Sequence, residues 1–189
     1  MTRIIAGFAG SRELKVPAAG TRPTSDRVRE AVFGALEARD AIAGMRVLDL
    51  YAGSGALALE ALSRGAANAT MVEKHPKAAA IASSNAELVR KAGNLDASTT
   101  RVVTASVASF LTTTVGEYDL VFIDPPYDVD NTEVEHVLEA LVSMLAEYGE
   151  IVLERSTRTP APVIPFGLTR EKAKTYGETT IYWISAASD

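Results

Sequence analysis

The segment Phe122-Ile123-Asp124-Pro125-Pro126-Tyr127-Asp128 places a carboxylate, two consecutive prolines and an aromatic ring directly after an apolar run. Each proline lacks a backbone donor and has its φ fixed, so neither can continue a sheet ladder. The strand therefore stops at a rigid turn. The Asp124 carboxylate and the Pro125 carbonyl are two acceptors suited to the N–H groups of a ring-conjugated amine. Holding that nitrogen between them favours its change towards tetrahedral geometry during attack on an electrophile. Tyr127 adds a ring on which a flat heterocycle can stack. Asp-Pro-Pro alone is as readily a structural strand end; Tyr127 and a second motif upstream favour chemistry.

The second motif is Leu48-Asp49-Leu50-Tyr51-Ala52-Gly53-Ser54-Gly55. Gly53 and Gly55 let the backbone turn tightly and approach a ligand at a helix N-terminus, although a Gly-x-Gly is also an ordinary way to turn. Glu73, 20 residues beyond Gly53 and closing the next apolar run, stands where an acid takes the two hydroxyls of a ribose. The plainer reading of Glu73 is a carboxylate at a helix start. Together the features imply a nucleoside-containing cofactor and leave NAD and S-adenosylmethionine both open. A dinucleotide fingerprint has its third glycine where Ala58 stands, and alanine is tolerated there. Asp49 is more telling, because a carboxylate so near a diphosphate is repelled, whereas it suits the ammonium of a methionine moiety.

These residues need elements to position them. Val28, Ala31, Val32, Ala35 and Leu36 recur at helical spacing behind the caps Thr24 and Ser25. From Gly44 onward strands and helices alternate: RVLDL, then GALALEALSRG; ATMVE, then a helix opened by Pro76 and closed by Gly93; TRVVTA, then ASVASFL; YDLVFID, then TEVEHVLEALVSMLAEY; and GEIVLE. LTREKAKTYGETTIYWISA reads as a hairpin turning at Gly177-Glu178, and RIIAGFAGSRELKVP as a shorter one at the other end. Apolar strands alternating with helices predict a doubly wound, mostly parallel α/β sheet with an antiparallel strand near one edge. Ligands of such sheets bind outside the carboxyl ends of the strands, where both motifs fall.

The 189 residues, 47% hydrophobic and 23% charged, suit one soluble globular unit rather than a disordered or fibrous chain. No apolar run reaches the roughly 18 residues that span a bilayer, and a cytoplasmic protein with no membrane partner is expected. The absence of cysteine excludes disulfides and thiolate chemistry, and His75 and His136 lack metal-ligand spacing. No metal is expected. The net charge of −5 is uneven. Residues 1–30 hold six Lys/Arg, namely Arg3, Arg12, Lys15, Arg22, Arg27 and Arg29, against three acids, while the remainder holds thirteen against twenty-one. Either this is an ordinary solvated surface, or the basic arm meets phosphates while the acidic body does something else.

In order and spacing, LDLYAGSGALALEALSRGA, MVEKH and FIDPPY resemble the class I S-adenosylmethionine-dependent methyltransferases that modify exocyclic amino groups of nucleobases. RPTSDRVREAVF and the tail REKAKTYGETTIYW, with those segments, resemble the RsmD family, which methylates the N(2) amino group of one guanine in bacterial 16S ribosomal RNA. The resemblance covers nearly the whole chain. It implies a seven-stranded Rossmann-like methyltransferase sheet over residues 23–189 and an RNA-recognising β-hairpin extension over residues 1–22. It further implies a partner in the 30S ribosomal subunit or its precursor, and action as a monomer. By position, Asp49, Tyr51, Ala52, Gly53 and Gly55 would line the methionine end of S-adenosylmethionine, with Thr24 and Asp124 beside it, Glu73 and Lys74 at the ribose, and Ser106 and Val107 at the adenine. Asp124, Pro125, Pro126 and Tyr127 would form the catalytic pocket, and Arg3, Arg12, Lys15, Arg22, Arg27 and Tyr127 would meet RNA. The turn Gly10-Ser11-Arg12-Glu13 is less basic than the Gly-Arg-Gly-Arg type common in family hairpins.

Two other readings stand beside this one. An amino methyltransferase for DNA adenine or another RNA would use the same turn, although the chain leaves little room for a DNA target-recognition domain. A nucleotide-binding module without chemistry would have no need of the intact Asp124–Tyr127 turn.

Overall fold

A computed structural model of the chain describes residues 2–17 and 25–187. Seven strands form one sheet: β3 (Arg46–Leu50), β4 (Asn68–Glu73), β5 (Thr100–Thr104), β6 (Tyr118–Ile123), β7 (Leu145–Ser156), β8 (Leu168–Tyr176) and β9 (Thr179–Ala186). Their spatial order is β5-β4-β3-β6-β7-β9-β8. β3 to β7 pair in parallel, and β9 runs antiparallel between β7 and the edge strand β8. The expected mostly parallel seven-stranded sheet is thus what the chain forms. Chain order reverses between β3 and β6, so the ends of these two neighbours flank a crevice of the kind that binds ligands in open sheets.

Helices cover both faces because the central strands are apolar on both sides. α1 (Asp26–Glu37), α2 (Ala56–Ser63) and α3 (Pro76–Gly93) pack on one face through Phe33, Leu36, Leu59, Leu62 and Val89. α4 (Val107–Thr113) and α5 (Asn131–Leu141) cover the other through Phe110, Val134, Leu138 and Leu141. Ser25 caps α1 by accepting the Val28 N–H; Thr24 and Arg22 lie outside the described residues. None of the helices described is long and apolar enough to cross a membrane.

One boundary differs from the sequence reading. The helical pattern carried through Met144 and Leu145 belongs to α5 only as far as Leu141. Leu145 instead opens β7, pairing with Tyr118 before a register shift, and its burial continues the apolar spacing by coincidence. α3 runs from Pro76 to Gly93 as read from the sequence, and the left-handed residue that caps it is Asn94, φ 51°. Gly93 answers a packing demand, since a Cβ there would lie 2.5 Å from the Phe8 ring.

The N-terminal hairpin is small. β1 (Thr2–Arg3) pairs with β2 (Glu13–Leu14), and Ile4, Ala9 and Leu14 are buried in the core cluster beneath. Polar side chains fasten the hairpin to three helices. Glu60 of α2, fully buried, accepts the Ile5 and Ala6 N–H groups at 2.7 and 3.0 Å. Ser63 accepts from Ala9 N–H and donates to the Ala6 carbonyl. Arg29 of α1 donates to the Arg3 carbonyl at 2.6 Å, and Asn85 of α3 holds Lys15. These bonds give backbone groups of the docked segment the partners that burial requires, while the buried Arg29 Nε has none among the described residues.

Candidate active site

The glycine loop leaves β3 at Leu50 and enters α2 at Ala56. Tyr51 has φ 65°, a left-handed conformation that strains a non-glycine residue. Its hydroxyl donates to Glu133 of α5 at 2.9 Å, joining the loop to the helix that follows the Asp-Pro-Pro-Tyr turn. Ala52 donates to the Val72 carbonyl. Gly53 and Gly55 both have positive φ. A Cβ at Gly55 would meet the Met71 sulfur at 2.7 Å, while one at Gly53 would point into open space. Gly55 is required by packing, whereas Gly53 leaves the loop open to a ligand.

Asp49 is 1% exposed. Its Oδ2 accepts the Ala58 N–H in the first turn of α2 at 3.2 Å. Its buried Oδ1 has no hydrogen-bond partner among the described residues. Burial is the main reason its pKa is pushed up to about 8, and the nearby charges of Asp124 and Glu73 add to it. A buried carboxylate oxygen lacking a donor is costly, and a ligand ammonium would supply one. On this observation the site fits the methionine end of S-adenosylmethionine.

Glu73, 8% exposed, closes β4. Its Oε2 accepts the Gly53 N–H at 2.9 Å and its Oε1 the His75 N–H at 2.8 Å. The helix-start reading and the ligand reading of Glu73 are therefore compatible, because an ionised carboxylate offers about four acceptor sites. Lys74 is exposed beside it, and Ser106 caps α4 by accepting the Ser109 N–H while Val107 is buried behind.

The Asp124–Tyr127 turn follows β6, the neighbour of β3. Asp49 pairs in register with Phe122, two residues before Asp124. Pro125 is buried, Pro126 exposed, and Tyr127 is 64% exposed. The Pro126 carbonyl accepts the Val129 N–H. Beneath the turn lies Arg155 of β7, 4% exposed, which donates to the Val129 carbonyl at 2.9 Å and to Asn131 at 3.0 Å. Burial lowers its pKa from the usual arginine value. Sequence reading missed Arg155, Glu133 and Asn85, because each works on a partner more than twenty residues away.

The strand ends bring together Asp49, Tyr51, Ala52, Gly53, Gly55, Glu73, Lys74, Ser106, Val107 and the turn from Asp124 to Tyr127. Arg3, Arg12, Lys15 and Arg27 are exposed and precede this cluster. Lys15 approaches it, since Asn85 bonds both Lys15 and Ser54 of the glycine loop.

The family model described as Conserved hypothetical protein 95 matches residues 2–185. Ribosomal RNA small subunit methyltransferase D of Escherichia coli is 36% identical over 177 residues, 93% of this chain and 85% of that protein. The chain belongs to this family, that of ribosomal RNA small subunit methyltransferase D. The putative rRNA methyltransferase YlbH of Bacillus subtilis is 32% identical over 186 residues, spanning 95% of this chain and 96% of that protein. Among solved structures, the putative methyltransferase yhhF from Escherichia coli superposes with a TM-score of 0.80 at 32% identity, over 98% of this chain and 97% of that one. The resemblance carried by the glycine loop, the Asp-Pro-Pro-Tyr turn and the tail thus extends over the entire fold.

Proposed function

We propose that the chain is an S-adenosylmethionine-dependent methyltransferase that modifies the exocyclic N(2) amino group of one guanine in bacterial 16S ribosomal RNA. The observation that carries this reading is the placement of the Asp124–Tyr127 turn beside the glycine loop, on the adjacent ends of β3 and β6.

S-adenosylmethionine supplies a methyl group on a positively charged sulfur, open to in-line displacement. Asp49 would hold the ammonium, Gly53 and Gly55 the backbone approach, Glu73 the ribose, and Ser106 with Val107 the adenine side. At the target, the Asp124 carboxylate and the Pro125 carbonyl accept the two N–H groups of the guanine amine, fixing it in line and drawing its lone pair out of conjugation. The prolines hold that carbonyl in place, and the buried Arg155 holds the segment that follows through the Val129 carbonyl and Asn131. Tyr127, exposed on the rim, stacks on the base. Transfer leaves the amine positively charged, and Asp124 is the acceptor that stabilises it. Residues 1–22 serve as an RNA-recognising hairpin on the catalytic domain, and the 30S subunit or its precursor supplies the shape that selects one guanine. The enzyme acts as a monomer in the cytoplasm.

The test is transfer of labelled methyl from S-adenosylmethionine to 30S particles, naked 16S RNA and duplex DNA, the particles and RNA coming from a strain lacking the modification. Label on one guanine of the particle is expected. Label on DNA adenine or on a different RNA would replace the substrate, and no label on any acceptor despite cofactor binding would leave a module without chemistry.

A further inference from the structure

Asn85, in the middle of α3, is 1% exposed and joins two segments with different proposed tasks. Its Nδ2 donates to the Ser54 carbonyl at 2.9 Å and to the Lys15 carbonyl at 2.9 Å, and its Oδ1 accepts the Lys15 N–H at 3.0 Å. Three polar backbone groups of two segments are thus satisfied by one amide, which has two donors and one acceptor oxygen to give. Ser54 sits between Gly53 and Gly55 in the cofactor loop. Lys15 follows β2 in the basic hairpin, its Nζ 3.3 Å from Ser84 Oγ one residue before Asn85. Beside this amide a groove of about 430 Å³ runs between the hairpin and α3, lined by Arg12, Lys15 and Lys91 and also by the acids Glu13 and Glu87, the last paired with Lys91. Arg12 and Lys15, on the hairpin side and outside that pair, are the cations there that suit RNA phosphates.

We infer that Asn85 is a positioning residue that couples cofactor binding on the glycine loop to RNA binding in the hairpin groove. The amide cannot follow a shift of the Ser54 carbonyl without shifting its two bonds to Lys15, so a ligand that fixes one segment fixes the other. Such coupling is reciprocal. The hairpin has other fastenings, at Glu60, Ser63 and Arg29, so losing Asn85 severs this link and leaves the hairpin docked. The inference rests on the proposed cofactor and RNA substrate.

Two measurements test it, neither of them turnover. In hydrogen exchange, S-adenosylhomocysteine is expected to slow exchange of backbone amides in residues 12–16 of the native protein several-fold, and to leave them unchanged in Asn85→Ala. In calorimetry, unmodified 30S particles are expected to tighten S-adenosylhomocysteine binding by about fivefold or more, the low end of usual site-to-site coupling, and to have almost no effect in the variant. If Asn85→Ala does not fold, Asn85→Ser, whose side chain is too short to bond Lys15 and Ser54 at once, takes its place, and the same loss of coupling is expected. A folded variant that kept the native exchange response and the native coupling factor would overturn the inference. So would a native enzyme that methylates its RNA yet shows neither effect, while the proposed function stood. A native protein that bound no S-adenosylhomocysteine would overturn the proposed function and this inference with it.

Discussion

The Gly53 N–H lies 2.9 Å from Glu73 Oε2, so the acid at the end of β4 shapes the glycine loop that follows β3. With His75 on its other oxygen, the carboxylate fixes both backbone segments that would surround the nucleoside. Glu73→Ala leaves two N–H groups without their acceptor and removes the ribose contacts as well. Hydrogen bonds to charged groups contribute about 1.5–3 kcal/mol each. Calorimetry should therefore show S-adenosylhomocysteine affinity falling by about 100-fold or more in Glu73→Ala, and by about tenfold in Glu73→Gln, which keeps one acceptor oxygen. An Ala variant that bound within threefold of the native protein would remove Glu73 from the cofactor site.

Asp49 gives the site a pH dependence. Its folded pKa is raised by burial to about 8, above the ordinary aspartate value near 3.9. Between these values the folded state holds a proton that the unfolded chain has released, so the stability of the ligand-free protein falls as pH rises through this window. Ligand binding runs the other way, because an ammonium partners the ionised carboxylate. S-adenosylhomocysteine affinity should climb with pH from about 6 to 8 and level off where the ligand's own α-amino group, pKa about 7.7–8.0, loses its charge. Calorimetry near pH 7 in buffers of different ionisation enthalpy should register proton release on binding. Asp49→Asn should flatten both profiles, and an unchanged climb in that variant would assign the titration to another group.

The sheet and the two motifs at its strand ends were legible because their signals are local. Val47, Leu48 and Leu50 form one apolar run, Pro125 and Pro126 end a ladder, and Gly53 and Gly55 sit where only a tight turn fits. What was not legible depends on distant partners. Glu60 in GALALEALSRG has the look of a polar helix residue facing solvent, yet it is fully buried because the N-terminal segment lies over it and presents two N–H groups. Asn85 in a run of alanines and serines carries no sign of the two carbonyls it meets. The hairpin itself was visible, but its docking was not, since Phe8 against Gly93 and Arg29 against Arg3 are encounters that no periodicity encodes.

Arg155 tests whether the target turn must be held from below. Its bonds to the Val129 carbonyl and Asn131 fix the segment running from Pro126 into α5. Arg155→Met keeps the side-chain bulk and loses both bonds, leaving the Val129 carbonyl unsatisfied at a cost of about 1–3 kcal/mol. The expected result is a melting temperature several degrees lower, a kcat reduced by about 10-fold or more, and an unchanged affinity for S-adenosylhomocysteine. A variant with native kcat would show that the prolines alone keep the turn rigid.

Asp124→Ala separates chemistry from cofactor capture. The proposed role of the carboxylate lies on the target amine, in the transition state, so its loss should lower kcat and kcat/KM together. Single-turnover methylation of unmodified particles should fall by about 100-fold or more, the scale of removing one preorganised electrostatic partner. Cofactor affinity should stay within a few-fold, because the proposed role of the carboxylate lies on the target amine and removing its charge near Asp49 eases ionisation of Asp49. Near-native single-turnover rates would move the catalytic centre elsewhere.

The basic hairpin offers the last test, and the structure sharpens it. Arg3, Arg12 and Lys15 are exposed, while Ile4, Ala9 and Leu14 between them are buried in the core. The apolar residues dock the hairpin and the cations face solvent, so Arg3, Arg12 and Lys15 can be replaced by glutamine together without unseating it. If these cations hold RNA phosphates, each lost contact lowers affinity and makes the logarithmic salt slope shallower by roughly 0.7 to 0.9. Particle binding by the triple variant should thus weaken most at low salt and converge on the native curve as salt rises. Melting temperature and S-adenosylhomocysteine affinity should remain native, because no hydrogen bond from Lys15 to the glycine loop runs through its side chain; the link to Asn85 uses the Lys15 backbone. Phosphate contacts position an RNA without identifying a base, so the variant should bind more weakly yet still methylate the same guanine. Superimposable salt slopes with equal affinities would exclude the hairpin as the RNA-binding element. A changed target would instead show that these three cations select the guanine.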